Sequence, residues 1–277
     1  MPMTLHQIQE LFYTGLTSYY TRAESRIIFN AVAEKILKTK LRTDREEVSE
    51  KVMSHFGEML EALQSGKPYQ QAIGETEFYG LTFKVNEHVL IPRPETEELL
   101  ELALRQLRDK TKLKILDIGT GSGIIPVVLK KYLPDAEVFA VDISSEALQI
   151  ASENAKLQEV DIKFSQMDYL RTEQKGQYDV IISNPPYIGL DEEADIFSGV
   201  KDFEPTIALF APVPDALVFY RKIAEDCKIF LKKGGFIFLE INQLLGPETL
   251  ALFAPVLEEV SLLKDLSGND RFVVGRK

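Results

Sequence analysis

The spacing of apolar residues divides the chain into three stretches. Over the first 66 residues they recur three and four apart. Leu5, Ile8, Leu11 and Phe12 mark one helical face. Ile28, Val32 and Ile36 mark a second, and Val52, Phe56, Met59, Leu60 and Leu63 a third. Thr21 with Glu24, and Thr43 with Glu46, have capping-box spacing, in which each side chain satisfies the other residue's backbone N–H. Gly66 and Pro68 end the run, as a glycine followed by a proline ends a helix. The pattern predicts a small helical bundle over 1–68.

Residues 69–94 read as a linker. Leu81, Phe83 and Val85 alternate with polar residues, and Val89, Leu90 and Ile91 follow Asn86-Glu87-His88, which predicts a β-hairpin. Pro94 suits the first turn of a following helix, where no N–H partner is needed. Over 95–277 short apolar runs alternate with helical segments. Strands are expected at 113–118, 137–142, 161–165, 178–183, 235–241, 257–263 and 271–275. Helices are expected through Leu99, Leu100, Ala103 and Leu107, and around 124–132, 145–157, 215–231 and 246–253. The first strands lack clean polar alternation, as in a parallel sheet covered on both faces. The expected fold is α/β, a seven-stranded doubly wound sheet. The short gap from Lys264 to Asp270 predicts that its last two strands are antiparallel.

Composition narrows the partners. The chain has 277 residues, 45% hydrophobic and 27% charged, an ordinary globular balance. Its net charge of −11 and lack of a basic run argue against a grip on bulk nucleic acid. A single cysteine, Cys227, excludes an intrachain disulfide and fits a reducing compartment. His6, His55 and His88 are scattered, so no metal site is expected. The N-terminus lacks a signal-peptide pattern and no apolar stretch reaches membrane-spanning length, so the cytoplasm is the expected location.

Two loops carry chemistry. Lys114-Ile115-Leu116-Asp117-Ile118 reads as a strand, followed by Gly119-Thr120-Gly121-Ser122-Gly123 and an apolar helix. Glycines let backbone approach a ligand closely, and the helix N-terminus offers free N–H groups. A dinucleotide fingerprint wants a small residue three after the second glycine; position 124 is Ile. The G-x-G-x-G spacing fits the loop that methyltransferases use for S-adenosyl-L-methionine. Asp142, at the end of the next strand, is placed to accept both ribose hydroxyls. Asp168 and Tyr169 follow the third strand and are expected at the adenine, one accepting from its amine and the other covering its ring.

Asn184-Pro185-Pro186-Tyr187 ends the fourth strand, at the sheet edge where such folds bind ligands. A planar amide or aromatic amine nitrogen delocalises its lone pair and carries two N–H donors. The Asn184 oxygen and the Pro185 carbonyl can each accept one, and Tyr187 can stack on the planar group. Since the sulfonium methyl is already activated, alignment and fixed dipoles supply the catalysis and no metal is required. Asn-Pro and Pro-Pro are also ordinary turn signals; the spacing from the glycine loop is what gives them chemical meaning.

In these residues the sequence resembles the HemK/PrmC protein-(glutamine-N5) methyltransferases. The matching pieces are Glu77-Phe78-Tyr79-Gly80, Leu90-Ile91-Pro92-Arg93-Pro94-Glu95-Thr96-Glu97, the Asp117–Gly123 loop, Asn184-Pro185-Pro186-Tyr187-Ile188, Glu204-Pro205 and Lys232-Lys233-Gly234-Gly235. The resemblance implies a helical N-terminal domain that docks the protein substrate, a hairpin linker and a seven-stranded catalytic domain. It implies methyl transfer to the glutamine of the Gly-Gly-Gln motif in peptide-chain release factors. Gly119 to Gly123, Asp142, Tyr169 and Asn184 would contact the cofactor, and Asn184 to Tyr187 would hold the glutamine amide. Two residues depart from the pattern: Tyr169 stands where a Trp is common, and Asn242 where Gly is usual. Arg93 and Glu97 are expected to order the linker or gate the site, His88 to sit in the hairpin and Cys227 in the core. Glu192-Glu193 is expected on the surface.

Other readings stay open at this level. They are adenine-N6 methylation of DNA, glutamine methylation of a ribosomal protein, and a non-catalytic module that binds a translation factor. A nicotinamide dehydrogenase is disfavoured by Ile124.

Overall fold

The structure, a computed structural model, describes residues 3–38, 47–173, 175–188 and 202–277. The chain falls into two compact units, divided between Glu75 and Thr76, with Phe203 belonging to the first.

The first unit holds α1 (Leu5–Leu16), α2 (Arg22–Leu37), α3 (Glu50–Gln64) and α4 (Tyr69–Ile73). Its core is aromatic: Phe29 lies 5.5 Å from both Phe12 and Phe56, centroid to centroid. Thr21 and Glu24 form the expected capping box on α2. Ser49 caps α3, accepting from the Val52 N–H. The Thr43–Glu46 box lies outside the described residues, as does Glu192-Glu193. Leu5, Ile8 and Phe12 are buried, whereas Leu11 is 56% exposed. It sits one residue, about 100° of helical turn, off the face that Phe12 buries.

Strands β1 (Glu75–Phe78) and β2 (Leu81–Lys84) form a two-stranded sheet. The turn is Tyr79-Gly80, both with positive φ, 52° and 70°. Such a pair matches the right-handed twist of a two-residue hairpin. The hairpin therefore closes earlier than its alternating residues suggest, and Val89 to Ile91 are not a strand. The Glu97 carboxylate accepts the Tyr79 N–H at 2.6 Å and so holds this turn.

In the second unit α5 (Pro94–Leu107) leads into β3 (Lys114–Ile118), α6 (Ile124–Tyr132), β4 (Glu137–Asp142), α7 (Ser145–Leu157), β5 (Lys163–Gln166) and β6 (Tyr178–Ser183). After these come α8 (Thr206–Leu209), α9 (Val218–Phe230), β7 (Leu231–Glu240), α10 (Gly246–Phe253), β8 (Glu259–Lys264) and β9 (Asp270–Arg276). The seven-stranded sheet has the order β5-β4-β3-β6-β7-β9-β8. Pairs from β5 to β7 are parallel, and β7–β9 and β8–β9 are antiparallel, as the short 264–270 gap predicts.

Side chains along each strand alternate between two apolar layers. Ile115, Val180, Ile182 and Phe238 enter one; Leu116, Ile181, Ile237 and Leu239 enter the other. Both faces are covered, which is why the sequence shows runs rather than alternation. Cys227 is in the second layer, where burial pushes its thiol up to about 12.

The order of strands decides where a ligand can bind. From β3 the chain moves outward to β4 and β5, then returns to β6 on the other side of β3. The loops leaving β3 and β6 thus depart in opposite directions and open a crevice at the carboxyl edge.

Candidate active site

That crevice brings together the two loops singled out by sequence. A Cβ built on Gly119 would come within 3.9 Å of the Pro185 backbone, so the loops after β3 and β6 are neighbours. Gly119, Gly121 and Gly123 have φ of 73°, 53° and 79°, a region costly for residues with a Cβ. Gly123 has a further reason: a Cβ there would lie 2.8 Å from that of Ala151 on α7. It lets the start of α6 pack on α7.

Asp142 organises the loop. One carboxylate oxygen accepts the Gly121 N–H at 2.8 Å and the other the Ser144 N–H at 3.0 Å. Burial raises its pKa against these backbone donors. Ser144 in turn caps α7 by accepting from Ala147 at 3.0 Å. Asn154, fully buried on α7, fastens the same loop to the hairpin. Its Nδ2 donates to the Ser122 carbonyl at 2.8 Å and its Oδ1 accepts the Lys84 N–H at 2.7 Å.

A cavity of about 540 Å³ opens here. Gly119 to Ser122, Asp142, Asp168 and Tyr169 line it, and so do Asn184 and Pro186. Gly123, Pro185 and Tyr187 do not line it. Asp168 pairs with Arg171 at 3.5 Å, and its carbonyl accepts the Arg171 and Thr172 N–H groups of a turn. Tyr169 is buried, with the Lys222 ammonium 5.0 Å from its ring centroid, and burial raises its hydroxyl pKa.

The tetrapeptide is wired to a buried acid. Asn184 Nδ2 donates to Thr96 Oγ1 at 3.2 Å, and that hydroxyl donates to Glu240 Oε2 at 2.7 Å. The Tyr187 hydroxyl donates to Glu240 Oε1 at 3.4 Å. Burial pushes Glu240 up to about 7, against the opposing pull of Thr96 and Arg271. Asn242 has φ −61°, which needs no glycine. Its side chain instead accepts from the Leu244 N–H at 2.9 Å and donates to the Tyr187 carbonyl at 3.2 Å. The departure at this position adds a support for the loop.

Two further marks gain roles. Buried Glu204 accepts the Ile91 N–H at 2.9 Å and pairs with Arg93 at 2.6 Å. This clamp fixes the segment before α5, and Arg93, His88 and Thr96 then line the cavity. His88 is thus a cavity residue as well as a turn residue. Asp117 is fully buried on β3, and burial pushes it up to about 7 against the pull of the nearby Thr120 hydroxyl. Among the described residues no hydrogen bond of good geometry satisfies either of its oxygens.

Thr96, Asn154, Asp117 and Glu240 escaped the reading of sequence as site residues. A signal existed for two of them: Glu240 is an acid at the carboxyl end of an apolar strand, and Thr96 sits within Ile-Pro-Arg-Pro-Glu-Thr-Glu. Among the described residues no group of His, Cys, Asp and Glu could hold a metal ion, and no helix is long and apolar enough to cross a membrane.

Known proteins are similar to this chain in sequence and fold. Residues 98–198 match a family model described as the methyltransferase small domain. The fold is similar to the crystal structure of a methyltransferase from Pyrococcus furiosus, at 18% identity and TM-score 0.53, over 76% of this chain and 94% of that one. A release factor glutamine methyltransferase of Flavobacterium psychrophilum is 47% identical over 78% of this chain and 77% of its own length. One of Streptococcus pneumoniae is 46% identical over 83% of this chain and 82% of its own. With the glycine loop, Asn184 and Pro186 facing one crevice, and such identity across most of both chains, the protein belongs to the release factor glutamine methyltransferase family.

Proposed function

We propose that this protein transfers a methyl group from S-adenosyl-L-methionine to the side-chain amide nitrogen (N5) of the glutamine in the Gly-Gly-Gln motif of peptide-chain release factors. The observation that carries the reading is the convergence of the Gly119–Gly123 loop and Asn184 on one cavity. The cavity fits the cofactor: a glycine cradle that a Cβ would strain, a carboxylate at the end of β4 for ribose hydroxyls, and Tyr169 for the adenine. When bound, the cofactor supplies a methyl group activated by its sulfonium.

The chain's own residues position the acceptor. The Asn184 oxygen and the Pro185 carbonyl accept the two N–H groups of the glutamine amide. That draws electron density back onto nitrogen and aims its lone pair at the methyl carbon. Asn184 and Pro185 would hold the amide nitrogen in line with the methyl group that the bound cofactor would supply, and one amide proton would leave to solvent. The helical unit is assigned to docking the release factor, and the cytoplasm, where translation factors act, is the proposed location.

Incubation with isotope-labelled cofactor and a release factor, followed by mass spectrometry, tests this. The label is expected on the Gly-Gly-Gln glutamine and not on plasmid DNA or ribosomal proteins. Absence of transfer under conditions where the cofactor binds refutes the reading.

A further inference from the structure

Glu240 and Thr96 have no place in the chemistry above, yet together they reach both ends of the tetrapeptide. Glu240 Oε2 accepts from the Thr96 hydroxyl at 2.7 Å, and that hydroxyl's oxygen accepts from Asn184 Nδ2 at 3.2 Å. Glu240 Oε1 accepts from the Tyr187 hydroxyl at 3.4 Å. We propose that Glu240 and Thr96 are positioning residues that fix which way the Asn184 amide faces, and so present its oxygen to the substrate nitrogen.

Donors and acceptors decide the orientation of this amide. An asparagine amide has two nearly isosteric orientations, and only its partners choose between them. An ionised carboxylate is an acceptor only, so it claims the single proton of Thr96. The Thr96 oxygen can then only accept, and Asn184 must turn its NH₂ toward it. The Asn184 oxygen is left to face the amide N–H of the glutamine. In the opposite orientation the NH₂ would meet the N–H groups of the substrate, donor against donor. This deepens the proposed function and rests on it.

Glu240 is held among groups from four other parts of the fold. Thr96 and Glu95 come from α5, Tyr187 from the loop after β6, Tyr220 from α9 and Arg271 from β9. Tyr220 donates to the Glu240 main-chain carbonyl at 2.9 Å, and Arg271 is itself paired with Asp265 at 3.1 Å. Once protonated, Glu240 can donate to Thr96 and release that hydroxyl to donate to Asn184. The amide is then free to flip. Activity depends on Glu240 being ionised, so kcat rises with pH through its raised pKa.

The test compares wild type, Thr96→Val, Thr96→Ser and Glu240→Gln, on release factor with labelled cofactor and across pH. Thr96→Val keeps the shape and removes the hydroxyl. Its kcat is expected to fall about 10- to 100-fold, the usual effect of losing a group that orients a site residue, with a much smaller change in cofactor affinity. Thr96→Ser recovers most of that loss. Glu240→Gln is slow and lacks the acid limb of the wild-type profile. A Thr96→Val kcat within twofold of wild type overturns the proposal, as does an acid limb that survives in Glu240→Gln. Should Thr96→Val fail to fold, the wild-type profile decides: a kcat that is flat between about pH 5.5 and 8.5 overturns it. If wild type itself transfers no methyl group, the proposed function falls and this inference with it. If wild type turns over and the variants match it, only the inference falls.

Discussion

Two fully buried carboxylates stand at the carboxyl edge of one sheet, and they are opposite in kind. Asp117, on β3 beneath the glycine loop, has no well-formed hydrogen bond to either oxygen among the described residues, only the nearby Thr120 hydroxyl. Glu240, at the end of β7 beneath the tetrapeptide, has both oxygens engaged. Burial pushes each up to about 7. A buried charge without partners is costly, whereas one that is hydrogen-bonded organises its neighbours. Beneath the glycine loop, Asp117 therefore holds unsatisfied polarity beside the hydrogen-bonded Asp142. The tetrapeptide side has spent its own on rigidity. Rigidity suits the role proposed for these residues, aiming a weak nucleophile, since a small misplacement there costs rate directly.

The largest expected effect lies on the rigid side. Asn184→Ala should lower turnover by about 10²–10³, the cost of removing a positioned polar group, measured as kcat on release factor. A variant running near wild-type speed would mean that the tetrapeptide is scaffold and the comparison fails.

On the cofactor side Asp142→Ala should weaken cofactor binding about ten- to a hundredfold, the value of charge-assisted hydrogen bonds, read by calorimetry. Binding within twofold of wild type removes the ribose role assigned to Asp142.

Asp117 gives a pH signature of its own. Its folded pKa is raised, so its contribution to stability is complete at low pH. That contribution is lost as pH climbs from the usual carboxylate range through about 7. Asp117→Asn should therefore melt several degrees above wild type at pH 8 without cofactor, and the gap should shrink toward pH 5. An equal gap at both values means that the Asp117 charge is not the cause.

The smallest effect tests the frame rather than the site. Ser144→Ala removes the α7 cap and should cost about 1 kcal/mol in denaturant unfolding, with little change in kcat. A loss of turnover matching that of Asn184→Ala would show that the cofactor side is as finely positioned as the tetrapeptide side.

Local rules carry much of this molecule. Thr21 and Glu24 cap α2 because their spacing alone lets each reach the other's backbone. The strands β3, β4 and β6 follow from short apolar runs between helical segments, because burial on both faces demands such runs. The hairpin shows where locality runs out. The alternation at Leu81 to Val85 was visible, but its partner strand, Glu75–Phe78, is short and largely polar, and a positive φ at Tyr79 is not written in its side chain.

What the sequence determined by itself was the class of chemistry. Gly119 to Gly123 and Asn184 to Tyr187, the residues proposed to carry it, are contiguous, because backbone freedom and proline stiffness are properties of local chain. What only the tertiary structure decided was which distant groups complete those motifs. Thr96 meets Asn184 across 88 positions and Glu240 across 144, and Arg93 meets Glu204 across 111. Those partners are chosen by strand order and by the need to satisfy polar groups once they are buried. Neither leaves a periodic trace along the chain.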